Sequence, residues 1–193
     1  NELLHTTNEN DFNKLFSRIE KYENISDNME LEIANYLNKV SEGRLSSESK
    51  LEIRGMLREV TEIESIGDSC YNLARTINRK RSGGNDFTEK QYEHIHQMMQ
   101  LTDDALAHMI AIVEDDHHVV DVNKSFNLEN EINNYRAQLK NQNVVDVNNK
   151  EYDYQMGVHY MDIIGECEKL GDYVVNVVEA RTNVKEKKTG DNR

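Results

Sequence analysis

The sequence contains no proline and no tryptophan, only two cysteines, and far fewer basic than acidic side chains. Each shortage removes something. Without proline nothing forces a helix to stop, since a proline in a helix interior costs about 3 kcal/mol. Cys70 and Cys167 are too few for a disulfide framework or a thiolate zinc site, and they fit a reduced, cytoplasmic setting. With 23 Lys and Arg against 36 Asp and Glu the formal charge is −13, which makes nucleic acid and anionic lipid poor partners. Uncharged apolar runs are only a few residues long, far short of a membrane span, and no secretory leader is visible. The chain is therefore read as soluble and, because it starts at Asn1 rather than Met, as a segment of a longer polypeptide.

What is present is helical periodicity. Apolar residues recur at steps of three and four in five stripes: Phe12 to Val40, Ile53 to Ile77, Tyr92 to Val113, Val122 to Leu139 and Val158 to Val177. No alternating strand pattern competes with them. Gly43 ends the first helix and Ser46 or Ser47 caps the second, while Asp86 or Thr88 caps the third after the Ser82-Gly83-Gly84-Asn85 break. A kink or a short turn is expected at Asp115-Asp116-His117-His118, a loop from Asn141 to Asn149, and a frayed polar tail from Lys185. The expected fold is all-α: an antiparallel bundle of about five long helices.

The second and fifth helices contain the same pattern. Residues 62–72 read Glu-Ile-Glu-Ser-Ile-Gly-Asp-Ser-Cys-Tyr-Asn, and residues 166–176 read Glu-Cys-Glu-Lys-Leu-Gly-Asp-Tyr-Val-Val-Asn. Five positions are identical at a separation of 104: Glu62/Glu166, Glu64/Glu168, Gly67/Gly171, Asp68/Asp172 and Asn72/Asn176. Glu64 and Asp68 stack on one helix face, as do Glu168 and Asp172, and like charges at that spacing cost about 0.2–0.5 kcal/mol. A mid-helix glycine costs about 1 kcal/mol relative to alanine, so Gly67 and Gly171 serve close helix approach, either for packing alone or to build a site. Glu23 and Asp27 make a matching pair in the first helix, with Glu30 and Glu32 behind. Packed against the second helix, Glu23, Asp27, Glu64 and Asp68 would form an oxygen-rich surface suited to hard or borderline cations. The plainer reading of such pairs is a solvated acidic face.

Glu64-Ser65-Ile66-Gly67-Asp68 and Glu168-Lys169-Leu170-Gly171-Asp172, with Asn72 and Asn176 behind them, resemble the repeated motif of the PhoU domain family. Tyr22 to Ile33 is similar to that family's second acidic motif, and the likeness runs from about residue 9 to residue 184. The stretch Glu129 to Arg136, followed after a loop by Gly157 to Ile164, resembles the PhoU-like domain at the C-terminus of bacterial sodium/phosphate cotransporters. The resemblance implies two similar three-helix bundles, residues 1–84 and 85–186, with 187–193 as a disordered tail. It also implies iron, zinc or another divalent metal at Glu23, Asp27, Glu64, Asp68, Glu168 and Asp172.

Three departures stand out. Five long helices are visible where two complete bundles need six, so one helix of the first repeat is missing or truncated. The arginine usual after the repeated glutamate is Ser65 and Lys169 here. Aligning Glu131-Ile132 with Glu32-Ile33 puts Val122 and Phe126 where Glu23 and Asp27 stand, which strips the second site of half its ligands.

Other constellations carry less. Glu114 and His117 give one Glu-x-x-His without the second copy a di-iron bundle needs, His94 and His96 cannot share a helix face, and His108 with Asp104 reads as a surface pair. His159 reads as a packed histidine and Met98-Met99 as core. Arg75 with Arg79-Lys80-Arg81 complements a helix C-terminus. No nucleophile elbow or phosphate-cradling loop occurs, so no enzyme is expected. The function implied by the resemblance is regulation of phosphate transport, by a soluble domain on the cytoplasmic side of the inner membrane. Its partner would be a transporter membrane domain in the same polypeptide, with self-association left open. The alternatives are a free-standing phosphate-uptake regulator and a metal-free protein-interaction bundle.

Overall fold

The computed structural model describes residues 2–83, 86–115 and 120–182. Their ordered elements are helices: α1 (Glu2–His5), α2 (Glu9–Ser41), α3 (Ser47–Ser82), α4 (Glu89–Val113), α5 (Asn123–Asn148) and α6 (Tyr154–Thr182). Five are long, as the stripes predict, and α1 is a single turn. The starts follow side-chain chemistry. Asn8 accepts from the amides of Asn10 and Asp11 at α2, and Ser46 accepts from the Ser49 amide at α3. Thr88 forms a reciprocal capping box with Gln91 at α4, and the Asp153 carboxylate accepts from the Met156 amide at α6.

The asparagine-rich stretch 141–149, expected as a loop, is helical up to Asn148. Tertiary contacts outweigh its composition: Asn143 accepts from the Tyr152 hydroxyl at 2.9 Å, Asp146 pairs with Lys90 of α4 at 3.7 Å, and Val147 lies against Gly157. The helix then stops in a Schellman geometry. The amide of Glu151 donates to the Asp146 carbonyl and that of Lys150 to Val147, with Lys150 at φ 63°. The expected turn near Asp115 begins where α4 ends at Val113, but 116–119 and the tail from 183 lie outside the described residues.

α3 and α6 run antiparallel as the central pair. The Arg58 guanidinium donates to Glu179 (3.1 Å), Asn176 to Glu62 (3.0 Å) and Ser69 to Glu166 (2.9 Å) along their length. α2 packs on the outer side of α3, while α4 and α5 both pack on α6. The fully buried residues therefore gather around α4 and α6, among them Ile95, Met98, Ile163, Val174 and Val177. α2 and α3 are covered near α1, where Phe12, Ala74 and Ile77 are buried with Leu3 and Leu4, and near their connecting turn, where Leu37 and Ile53 are buried. Other positions of their stripes lie open: Tyr22, Met29 and Tyr36 on α2 are 61%, 55% and 67% exposed, and Met56 and Ile63 on α3 are exposed too.

The left-handed backbone at Lys150 costs a side-chain-bearing residue about 1 kcal/mol that glycine does not incur. Lys150→Gly should therefore raise unfolding stability by roughly 1 kcal/mol in urea titration with an unchanged slope.

Candidate metal site

At Gly67 α2 lies close against α3: a Cβ there would stand 3.2 Å from Ser26 Oγ. The approach sets Glu23, Asp27 and Glu30 of α2 against Glu64 and Asp68 of α3, so the four carboxylates expected to share a surface do so. Glu64 and Asp27 are within hydrogen-bond reach of each other, and Asp68 is an electrostatic neighbour of both Glu64 and Glu23. The Thr61 hydroxyl donates to Glu30 (3.1 Å) and the Asn72 amide to Asp68 (3.3 Å). Among the described residues none of Glu23, Asp27, Glu64 and Asp68 forms an ion pair. Partial burial pushes the Glu64 carboxyl above its ordinary value, and the charges of Asp27, Asp68 and Glu30 add to it. Glu23 is pushed up by desolvation, then by Asp27, Asp68 and Glu20.

The second copy is built differently. A Cβ on Gly171 would stand 3.1 Å from Ile132 Cδ1, so Ile132 takes the place that Ser26 takes against Gly67. That juxtaposition relates α5 to α2 by 106 residues. Glu129 then stands where Glu23 does, Asn133 where Asp27 does, and Arg136 where Glu30 does. The register that placed Val122 and Phe126 there is wrong by seven residues. Seven residues are about two helical turns, which leaves the face unchanged and makes the slip invisible to periodicity. Glu129 has Asp172 and Glu168 as electrostatic neighbours, the Asn133 amide donates to Glu129, and Arg136 Nε lies 3.6 Å from Glu168 Oε2. Burial pushes the Asp172 carboxyl up, and Arg136 partly offsets the rise. Glu168 and Asp172 therefore sit in a separate cluster from the first four. Glu129, Asn133 and Arg136 were missed as its members, although Glu129 and Asn133 repeat the four-residue spacing of Glu23 and Asp27.

The donor chemistry of the two clusters decides what each can hold. In the first, the oxygen donors form no ion pair, and Lys169, the cation near Asp68, is itself bonded to Glu166; such a donor set fits a hard or borderline divalent ion. In the second, an amide replaces one carboxylate and a guanidinium already supplies positive charge, which does not fit a metal. As the side chains stand, no three His, Cys, Asp or Glu among the described residues form a ready metal cage. Four of the described histidines are engaged elsewhere: His94 Nδ1 meets the Tyr160 hydroxyl (2.9 Å), His5 stacks on His96 (4.5 Å), and His108 Nε2 meets the Asp121 carbonyl (2.8 Å). Cys70 and Cys167 line one cavity of about 270 Å3, where burial pushes the Cys167 thiol up to about 12 and leaves it a poor nucleophile. The basic run is absorbed by the fold. Lys80 pairs with Asp86, and Arg81 donates to the carbonyls of Thr6 and Thr7.

A carboxyl whose pKa is raised by folding costs stability once it ionises. Glu64→Gln should raise the metal-free melting temperature at pH 7, by the equivalent of about 0.2–0.5 kcal/mol. The gain should shrink as the pH falls through the raised pKa of Glu64 toward its ordinary value, and vanish below it. Parallel thermal melts of the two proteins from pH 7 to pH 4 measure this.

The PhoU domain model matches residues 2–77 and 95–180. The crystal structure of the phosphate transport system regulatory protein PhoU from Streptococcus pneumoniae superposes with a TM-score of 0.72 at 18% identity, over 90% of this chain and 80% of that one. That likeness is one of fold. No curated protein sequence matches the chain. With most of both halves matched by the family model, the chain belongs to the PhoU domain family.

Proposed function

We propose that this chain is the cytoplasmic regulatory domain of a sodium-dependent phosphate transporter and that it acts by contact rather than by catalysis. The observation that carries the reading is the family match across both halves, which relates the chain to regulators of phosphate transport. The similarity of residues 129–136 and 157–164 to the transporter-attached variant supports the finer assignment. Among the described residues no helix is long and apolar enough to cross a membrane, so on this reading the membrane part lies in another segment. The acidic site offers only carboxylates and no nucleophile, which favours binding over chemistry. A free-standing regulator is the second reading, favoured by the match to 80% of the length of the pneumococcal PhoU.

Metal binding belongs to the same proposal, at the first cluster only. Glu23, Asp27, Glu64 and Asp68 would hold iron, zinc or another divalent ion, which would supply the positive charge that Arg136 supplies in the second half. The carboxylates would relax their mutual repulsion, fastening α2 to α3 and stiffening the half that a partner touches.

Two measurements test this. Expressed from its complete reading frame, the protein should pellet with membranes and resist carbonate extraction, and loss of residues 1–193 should change phosphate uptake. A complete product that stays in the supernatant overturns the transporter reading in favour of the free-standing one. For the metal, Mn2+, Fe2+, Zn2+ or Mg2+ at a hundredfold excess over Kd should stabilise the chain by about 2.7 kcal/mol. The combined Glu64→Ala and Asp68→Ala exchange should abolish that shift, and Glu168→Ala with Asp172→Ala should preserve it. Melting unaffected by all four ions would leave a metal-free interaction bundle.

A further inference from the structure

The two cysteines of the chain stand level with each other across the central seam. Arg58 of α3 is paired with Glu179 of α6, and twelve residues forward along α3 and twelve back along α6 reach Cys70 and Cys167. Both line the cavity of about 270 Å3, Cys70 is an electrostatic neighbour of Cys167, and neither is in a disulfide. Met99 of α4 lines the same cavity. Three sulfur side chains from three helices therefore share one space, and Leu3, Ile19, Leu73 and Leu106 give much of the rest of its wall a hydrocarbon surface. Asp103 is the exposed residue of that lining and places a carboxylate on its solvent side.

We propose that Cys70, Cys167 and Met99 form a binding site for a soft monovalent metal ion, Cu(I), held by two thiolates and one thioether. The donor set selects the ion. Thiolate and thioether sulfur suit Cu(I), whereas Mg2+ and other hard ions prefer the oxygen donors of the first acidic cluster. A structural zinc site needs a closed set of four ligands, and no three His, Cys, Asp or Glu among the described residues gather to begin one. Cu(I) accepts a lower coordination. The buried thiols are poor nucleophiles without being poor ligands, because a thiophilic ion displaces the proton as it binds. On binding, the two S–H bonds break, both protons pass to solvent, and a copper–sulfur bond forms at each cysteine. The Met99 sulfur donates a lone pair, and nothing is oxidised or reduced. The apolar wall offers no oxygen ligand to a harder competitor, and the Asp103 carboxylate attracts a cation to the cavity. A bound ion would tie α3, α4 and α6 together at one point. The site is separate from both carboxylate clusters and does not depend on the phosphate-transport reading.

The reduced protein, free of oxygen, is titrated with Cu(I) held by the chromogenic chelator bicinchoninate. It should draw one equivalent of copper from the chelate and acquire the ultraviolet charge-transfer absorption of copper–thiolate bonds. X-ray absorption should show sulfur alone around the copper, and the bound ion should raise the melting temperature. Cys70→Ala, Cys167→Ala and Met99→Leu should each weaken binding by roughly tenfold or more. Met98→Leu is the control, because Met98 is buried on the same helix but does not line the cavity, and it should leave binding unchanged. Leucine nearly conserves the volume of methionine, so the two methionine variants decide the matter even where an alanine exchange loosens the core. No copper taken from the chelate, or oxygen or nitrogen among its neighbours, overturns the inference. So does binding unmoved by either cysteine exchange, or equal binding by the two methionine variants.

Discussion

The antiparallel contact of α3 with α6 brings the two copies of one sequence motif side by side, and the placement of every other long helix follows from it. Polar clasps fix its register: Arg58 with buried Glu179, Glu62 with Asn176, and Ser69 with Glu166. A sliding of one turn would part all three pairs at once. The five repeated identities divide their labour accordingly. Glu62 and Asn176 hold the central helices together, Gly67 and Gly171 receive the outer helices, and the repeated Glu and Asp build the acidic clusters. The motif is thus a packing device and a binding surface at once, because the glycine that admits α2 or α5 also determines which carboxylates face each other.

From that shared plan the halves diverge through few residues. At the second cluster Asn133 stands in for Asp27 and Arg136 for Glu30, which converts an unpaired acidic patch into an internally neutralised one. A guanidinium that lies in the fold cannot dissociate, whereas the cation near the first cluster, Lys169 beside Asp68, is bonded to Glu166 instead. Burial still raises the Glu129 and Asp172 carboxyls, but the second cluster has its cation 3.6 Å from Glu168. The first cluster lies on α2, in which Phe12 and Leu37 are the buried residues.

Much of the fold could be read from sequence because its signals are local. Five stripes, a glycine break and capping residues such as Thr88 with Gln91 mark helices whatever surrounds them. The misread stretch, 141–149, is locally loop-like and is held helical by distant partners: Lys90, Tyr152 and Gly157. The first acidic cluster was legible for a related reason, since glycine and two carboxylates within five residues mark a close approach wherever it occurs. The second was not. Its membership depends on which residue of α5 meets Gly171, and a slip of about two turns satisfies the same periodicity. Nor could the stripe from Tyr22 to Val40 reveal that it lies open, because a hydrophobic period says which face wants cover and nothing about whether cover arrives.

The open stripe and the charged cluster share one hairpin. α2 is held to α3 by a contact narrow enough for Gly67 to matter, with carboxylate repulsion on one side and uncovered apolar surface on the other. Carboxylate repulsion acts on the acidic side, and Ser26 against Gly67 keeps the two helices close in spite of it. A divalent ion at the first cluster, as proposed, would relieve that repulsion, whereas in the second half Arg136, 3.6 Å from Glu168, already offsets it.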